Sequence, residues 1–139
     1  MSSPISDNVR DLLARSLPLV HLHKDRVIER LELHLRGVAG DGQASGQSDV
    51  AAMLLLQLLL DQARGVVESG EIAADAAILD EHRALEIDGR HYSRFGDALV
   101  PILRDVLGTS VPREVAGAWC DTFWAAVREL EERRAAAPG

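Results

Sequence analysis

The sequence predicts an all-helical, single-domain protein, and three observations predict it. Apolar residues recur at three- and four-residue spacing along most of the chain. Thr, Val and aromatic residues never alternate with polar ones over a useful length, so no strand is expected. The 139 residues, 47% hydrophobic and 27% charged, suit one hydrophobic core, taken as a single domain over residues 1–139.

The elements follow in order. Ser6 or Asp7 caps a first helix whose apolar stripe is Val9, Leu12, Leu13 and Leu17. Pro18 fits the opening turn of the next segment. From Asp25 to Arg36, Val27, Ile28, Leu31 and Leu35 share one face, with Glu29, Arg30 and Glu32 elsewhere. Residues 37–47 hold Gly37, Gly40, Gly42 and Gly46 and read as the one clear loop. Ser48 or Asp49 then caps a helix that runs to about Val67. Its Val50–Leu60 stretch is apolar almost throughout. A membrane span needs about 20 apolar residues, so this run is expected to be a buried core helix. Ser69-Gly70 breaks the helix, and a short Ala-rich helix is expected over Ile72–Leu85. After a turn at Asp88-Gly89, the helix His91–Leu107 presents Phe95, Leu99, Ile102, Leu103 and Val106, with Pro101 inside it. Residues 108–112 are a break, and Pro112 opens a last helix to about Ala135.

Charge and cysteine content argue against several functions. The net charge of −7, without a Lys/Arg cluster, repels phosphate backbones and anionic membranes, so neither nucleic acid nor membrane is an expected partner. Cys120 is the only cysteine, which leaves no disulfide or cysteine cluster for zinc. The N-terminus lacks a basic region followed by an apolar run, so the cytoplasm is the expected compartment.

Histidine is the residue type with most to say. His21 and His23 are two apart and point in different directions on a helix. With His34, they read as solvated or capping side chains. His82 has a richer context: His82-Arg-Ala-Leu-Glu-Ile-Asp-Gly-Arg-His-Tyr92-Ser-Arg-Phe95-Gly96-Asp-Ala-Leu99. Further on stands Glu114-Val115-Ala-Gly-Ala118-Trp119-Cys-Asp-Thr-Phe123-Trp124.

These two stretches resemble bacterial flavohaemoglobins and their single-domain relatives, a globin family. There a haem-binding histidine is followed ten residues later by a tyrosine, then by an apolar residue and a glycine; the final helix carries Ala-Trp and two aromatics. The Leu17-Pro18 pair resembles the family's opening helix. The resemblance is good from about Ile78 to Arg133, weak from Val9 to Leu35 and poor between. It implies a globin-like fold with haem b as cofactor. It implies His82 as the iron ligand, facing a cleft lined by Leu54, Ile87, Tyr92, Phe95 and Leu99, with Phe123 and Val50 also touching the cofactor. An imidazole nitrogen binds haem iron while its other nitrogen is oriented by a partner, and Tyr92 matches that partner. The family's last-helix glutamate falls near Arg134, with Glu131 one turn earlier.

The distal side departs from the family. Leu31 or Glu32 falls near the tyrosine position, Val50 near the glutamine position, and residues 37–47 contain no phenylalanine. Tyr92 is the chain's only tyrosine. An apolar pocket without a strong hydrogen-bond donor is expected. The implied function is a haem globin that binds oxygen or nitric oxide. Nitric oxide dioxygenase-type turnover would need an external reductase, because no Gly-x-Gly-x-x-Gly turn follows a strand anywhere in the chain. The alternative is a globin-fold module that has lost haem and serves regulation or protein interaction, its cleft filled by leucines of residues 54–60.

Overall fold

The computed structural model describes residues 3–39, 45–72, 74, 76–87, 89–108 and 111–136. They form an all-α fold of six helices, joined by one very short sheet. The helices are α1 (Asp7–Leu22), α2 (Lys24–Ala39), α3 (Ser45–Ser69), α4 (Ala76–Ala84), α5 (Gly89–Leu107) and α6 (Glu114–Ala136).

Helix α3 is the centre of the packing: α1, α2, α5 and α6 all touch it. Its composition explains why. Ala51, Ala52, Leu55, Leu56, Leu58, Leu59, Leu60, Ala63 and Val66 are all buried, a broad covered face, while Met53, Gln57, Asp61 and Arg64 form an exposed stripe. Its Val50–Ser69 stretch has a mean hydropathy of 1.5, long and apolar enough to cross a membrane by length and composition. The apolar Val50–Leu60 run is part of this longer stretch. The stretch nevertheless packs as a core helix, 56% buried against its neighbours.

Helix α5 shows the opposite pattern, a sharply two-sided helix. Tyr92, Phe95, Leu99, Ile102, Leu103 and Val106 are buried, while Arg94, Asp97 and Arg104 are exposed. It lies between α2 and α6. Against α6 the approach is very close at Gly96. A Cβ built there would stand 2.2 Å from Trp124 Cζ2.

Helix α1 begins where expected, with Ser6 as N-cap accepting from the Val9 amide. Pro18 does not open a new segment. It lies inside α1, which continues to Leu22 and is capped by His23. The buried face of Leu13, Ser16 and Val20 holds the helix together across the hydrogen bond that proline removes. Ser16 is a polar joint in the core. Its hydroxyl donates to the Leu12 carbonyl at 2.7 Å and accepts from the Trp119 indole N–H at 2.7 Å, linking α1 to α6. Both side chains are buried. Ser16→Ala would leave that indole N–H without its acceptor, so we expect a loss of about 1–3 kcal/mol in urea unfolding. Trp119→Phe in the Ser16→Ala background should then cost less than Trp119→Phe in the natural chain, because the two groups share one bond.

Three sequence expectations are corrected around α4. A sheet exists: β1 (Ser3–Pro4) pairs antiparallel with β2 (Glu71–Ile72), Ser3 opposite Ile72. Two-residue strands leave no alternating pattern to read in the sequence. The bend before β2 is made by Gly70 at φ 80°. Arg10 reinforces it, its guanidinium donating to the Val67 carbonyl at 2.9 and 3.1 Å and to the Glu68 carbonyl at 3.2 Å. These are among the last carbonyls of α3, which have no helical partner. Consequently Ile72 belongs to β2, and α4 starts only at Ala76. At its other end, Gly89 opens α5 rather than closing a turn, and Asp88 lies outside the described residues.

The glycine-rich segment read as a loop over residues 37–47 is narrower than expected. Helix α2 extends through Gly37 to Ala39 and α3 starts at Ser45, ahead of the caps expected at Ser48 or Asp49. Gly40 and Gly42 lie outside the described residues.

Candidate functional site

His82 sits in the last turn of the short helix α4. The chain leaves that helix in a tight turn centred on the same residue. The His82 carbonyl accepts from the amides of Leu85 at 3.2 Å and Ile87 at 2.9 Å. Glu86 within this turn holds φ at 58°, the left-handed region that a residue with a Cβ enters at a cost of about 1 kcal/mol. The turn carries the chain inward, so that Ile87 is buried, and α5 then starts.

This geometry brings Tyr92, from the first turns of α5, back over the His82 ring. Tyr92 Oη and His82 Nδ1 are 2.9 Å apart, and the ring centroids are 5.9 Å apart. Both side chains are buried, His82 to 1% exposure. The ten-residue spacing noted in the sequence is thus a direct contact. The imidazole Nε2 has no hydrogen-bond partner among the described residues. A buried polar nitrogen without a partner is uncommon, and such groups call for an explanation.

Burial pushes the His82 pKa below its ordinary value of 6.5, and Glu81, on the next residue, opposes this only in part. The ring is therefore neutral at neutral pH, the form that binds a metal. A stability consequence follows. Above pH 6.5 neither the folded nor the unfolded chain protonates His82, so it contributes no pH dependence. As the pH falls below 6.5, the unfolded chain takes up the proton first, and the fold loses stability until the pH passes below the folded pKa. Urea midpoints measured from about pH 7.5 to 5 should fall with acidification, and His82→Gln should flatten part of that fall. A fall unchanged in the variant would show that other groups carry it.

The other residues expected at the site divide in two. Ile87, Phe95, Leu99 and Phe123 are buried in the same hydrophobic core as Tyr92, with Phe95 and Phe123 stacked at 4.5 Å between centroids. Leu54 is half-buried on α3 and packs against that core. Val50 is 38% exposed, on the side of α3 away from the buried Ala51, Ala52 and Leu55. No family model matches this chain, and neither does any curated protein.

The remaining histidines and the last-helix carboxylates complete the picture. His21 and His34 are exposed, and His23 caps α1. His34 therefore does not turn into the interior. Glu131 is exposed and Arg134 is half-buried. The buried carboxylate of α6 is Glu129, at 4% exposure, which sequence reasoning passed over. Its neighbours Ala125, Ala126, Val127 and Leu130 are all buried, and that run of buried positions is the signal that marks it. His91, at 5% exposure in the first turn of α5, was passed over in the same way.

Among the described residues, no three His, Cys, Asp or Glu side chains gather into a metal-binding cluster. A metal at His82 would have to bring most of its own ligands. Haem iron does so, since the porphyrin supplies four nitrogens and the protein needs to add only one.

Proposed function

We propose that this chain is a globin-like haem protein that binds a diatomic gas, oxygen or nitric oxide, with His82 as the protein ligand to the iron. The observation that carries the reading is the buried His82–Tyr92 pair: Nδ1 is engaged at 2.9 Å while Nε2 lacks a partner. With Nδ1–H donating to the tyrosine oxygen, the lone pair of Nε2 is directed away from the hydrogen bond and is available to iron. The donor chemistry of the site fits haem b. Bound haem would supply the iron at which a gas ligand binds. Tyr92 fixes the ring's tautomer and orientation, and Ile87, Phe95, Leu99 and Phe123 supply apolar surface of the kind a porphyrin face requires. The proposed protein works in the cytoplasm and receives electrons from an external reductase.

One observation favours a second reading, a haem-free globin-fold module for regulation or protein interaction. The His82 ring is 1% exposed and Ile87, Phe95, Leu99 and Phe123 are no more so, so none of these side chains stands open to solvent. Titration of the purified chain with haem separates the two. The haem reading expects a sharp Soret band that saturates at one haem per chain. Featureless, unsaturable absorbance would favour the haem-free module.

A further inference from the structure

A concavity whose lining does not include His82 lies where α5 ends and α6 begins. It encloses about 580 Å³. We propose that this groove binds a small amphipathic monoanion, a carboxylate on an alkyl or aryl body.

The floor is apolar: Leu103 and Leu107 from the last turns of α5, Ala116 from the first turn of α6, and Val111 between them. Two arginines, Arg104 and Arg113, line the same groove. Both are exposed, and neither has an ion-pair or hydrogen-bond partner among the described residues. The third charged group of the lining, Asp105, is already paired with Arg30 of α2. Two arginines thus remain uncompensated at one apolar groove, in a chain whose net charge is −7.

The occupant follows from this arrangement. The guanidinium fork matches a carboxylate in a bidentate fashion, and the floor asks for a hydrocarbon body. The volume lies within the range of about 300–1,000 Å³ typical of small-ligand sites. A polyanion such as a nucleotide is disfavoured, because the chain's net charge of −7 repels added negative charge. Pro101 and Pro112 also line the groove with φ fixed by their rings, so the backbone there needs little ordering on binding. The site is separate from His82 and does not rest on haem being bound.

The test uses octanoate and octanol on the full chain, by isothermal titration calorimetry. Octanoate should bind one to one, weaken with added salt, and bind about tenfold or more tightly than octanol. The Arg104→Gln/Arg113→Gln double variant should lose about tenfold or more in octanoate affinity while keeping its helical circular dichroism. The His82→Ala variant should keep it. In the natural chain, the methyl resonances of Val111 and Ala116 should shift on adding octanoate. Unchanged octanoate affinity in the double variant, equal affinity for octanol, or still methyl signals would each overturn the proposal.

Discussion

Gly96→Ala is expected to destabilise the fold by about 1–3 kcal/mol, with a lowered urea midpoint and faster unfolding. The cause is steric. A Cβ at residue 96 would fall 2.2 Å from Trp124 Cζ2 and 2.7 Å from Cε2, inside van der Waals contact. The indole is rigid, so either its ring must rotate out or α5 must withdraw from α6. Neither is cheap, because Trp124 stacks edge-on to Phe123 at 5.3 Å and Phe123 stacks on Phe95. The loss should be relieved in the Gly96→Ala/Trp124→Leu double variant, where a smaller side chain leaves room for the methyl. A double variant no better than the sum of the two single changes would show that the contact is not the cause. The helix propensity of alanine over glycine works in the opposite direction, by up to about 1 kcal/mol. A stabilised Gly96→Ala protein would mean that the indole moves freely.

His82→Ala is expected to have the largest effect on cofactor binding. It removes the nitrogen proposed to hold the iron, whereas Tyr92→Phe removes only the group that orients it. Altering a partner of a metal ligand costs about 10–100-fold in affinity. We therefore expect Tyr92→Phe to fall in that range and His82→Ala to exceed it. Competition for haem against apomyoglobin would measure both. Equal loss in the two variants would imply that the pair acts only as packing. His82→Gln, which keeps the site filled, guards against reading a folding defect as lost ligation.

Much of this arrangement was legible because it lies in spacing. The stripes Val27-Leu31-Leu35 and Phe95-Leu99-Ile102-Val106 mark helices by period alone, and both are buried as those periods require. The contact between His82 and Tyr92 was visible as an interval of ten residues, because a helix end, a turn and a helix start span a nearly fixed distance. What stayed hidden depends on contacts far apart in sequence. Arg10 reaches Val67 and Arg133 reaches the Ala74 carbonyl at 2.7 Å, and neither pairing leaves a local pattern. Pro18 reads as a boundary to any local rule, and tertiary packing of Leu13, Ser16 and Val20 overrides it. Gly96 was noticed only as part of a motif, and its reason, the Trp124 ring, lies on another helix. Glu129 was missed because the resembled family's register points to Glu131 and Arg134, whereas burial selects the carboxylate two residues before Glu131.

The central claim is that His82 ligates haem iron, and the most direct measurement is resonance Raman spectroscopy of the reduced, haem-loaded chain. An iron–histidine stretching band is expected in the natural protein, shifted in Tyr92→Phe as its hydrogen bond to Nδ1 is lost, and absent in His82→Ala. A band that survives unchanged in His82→Ala, or a chain that takes up no haem at all, would contradict it.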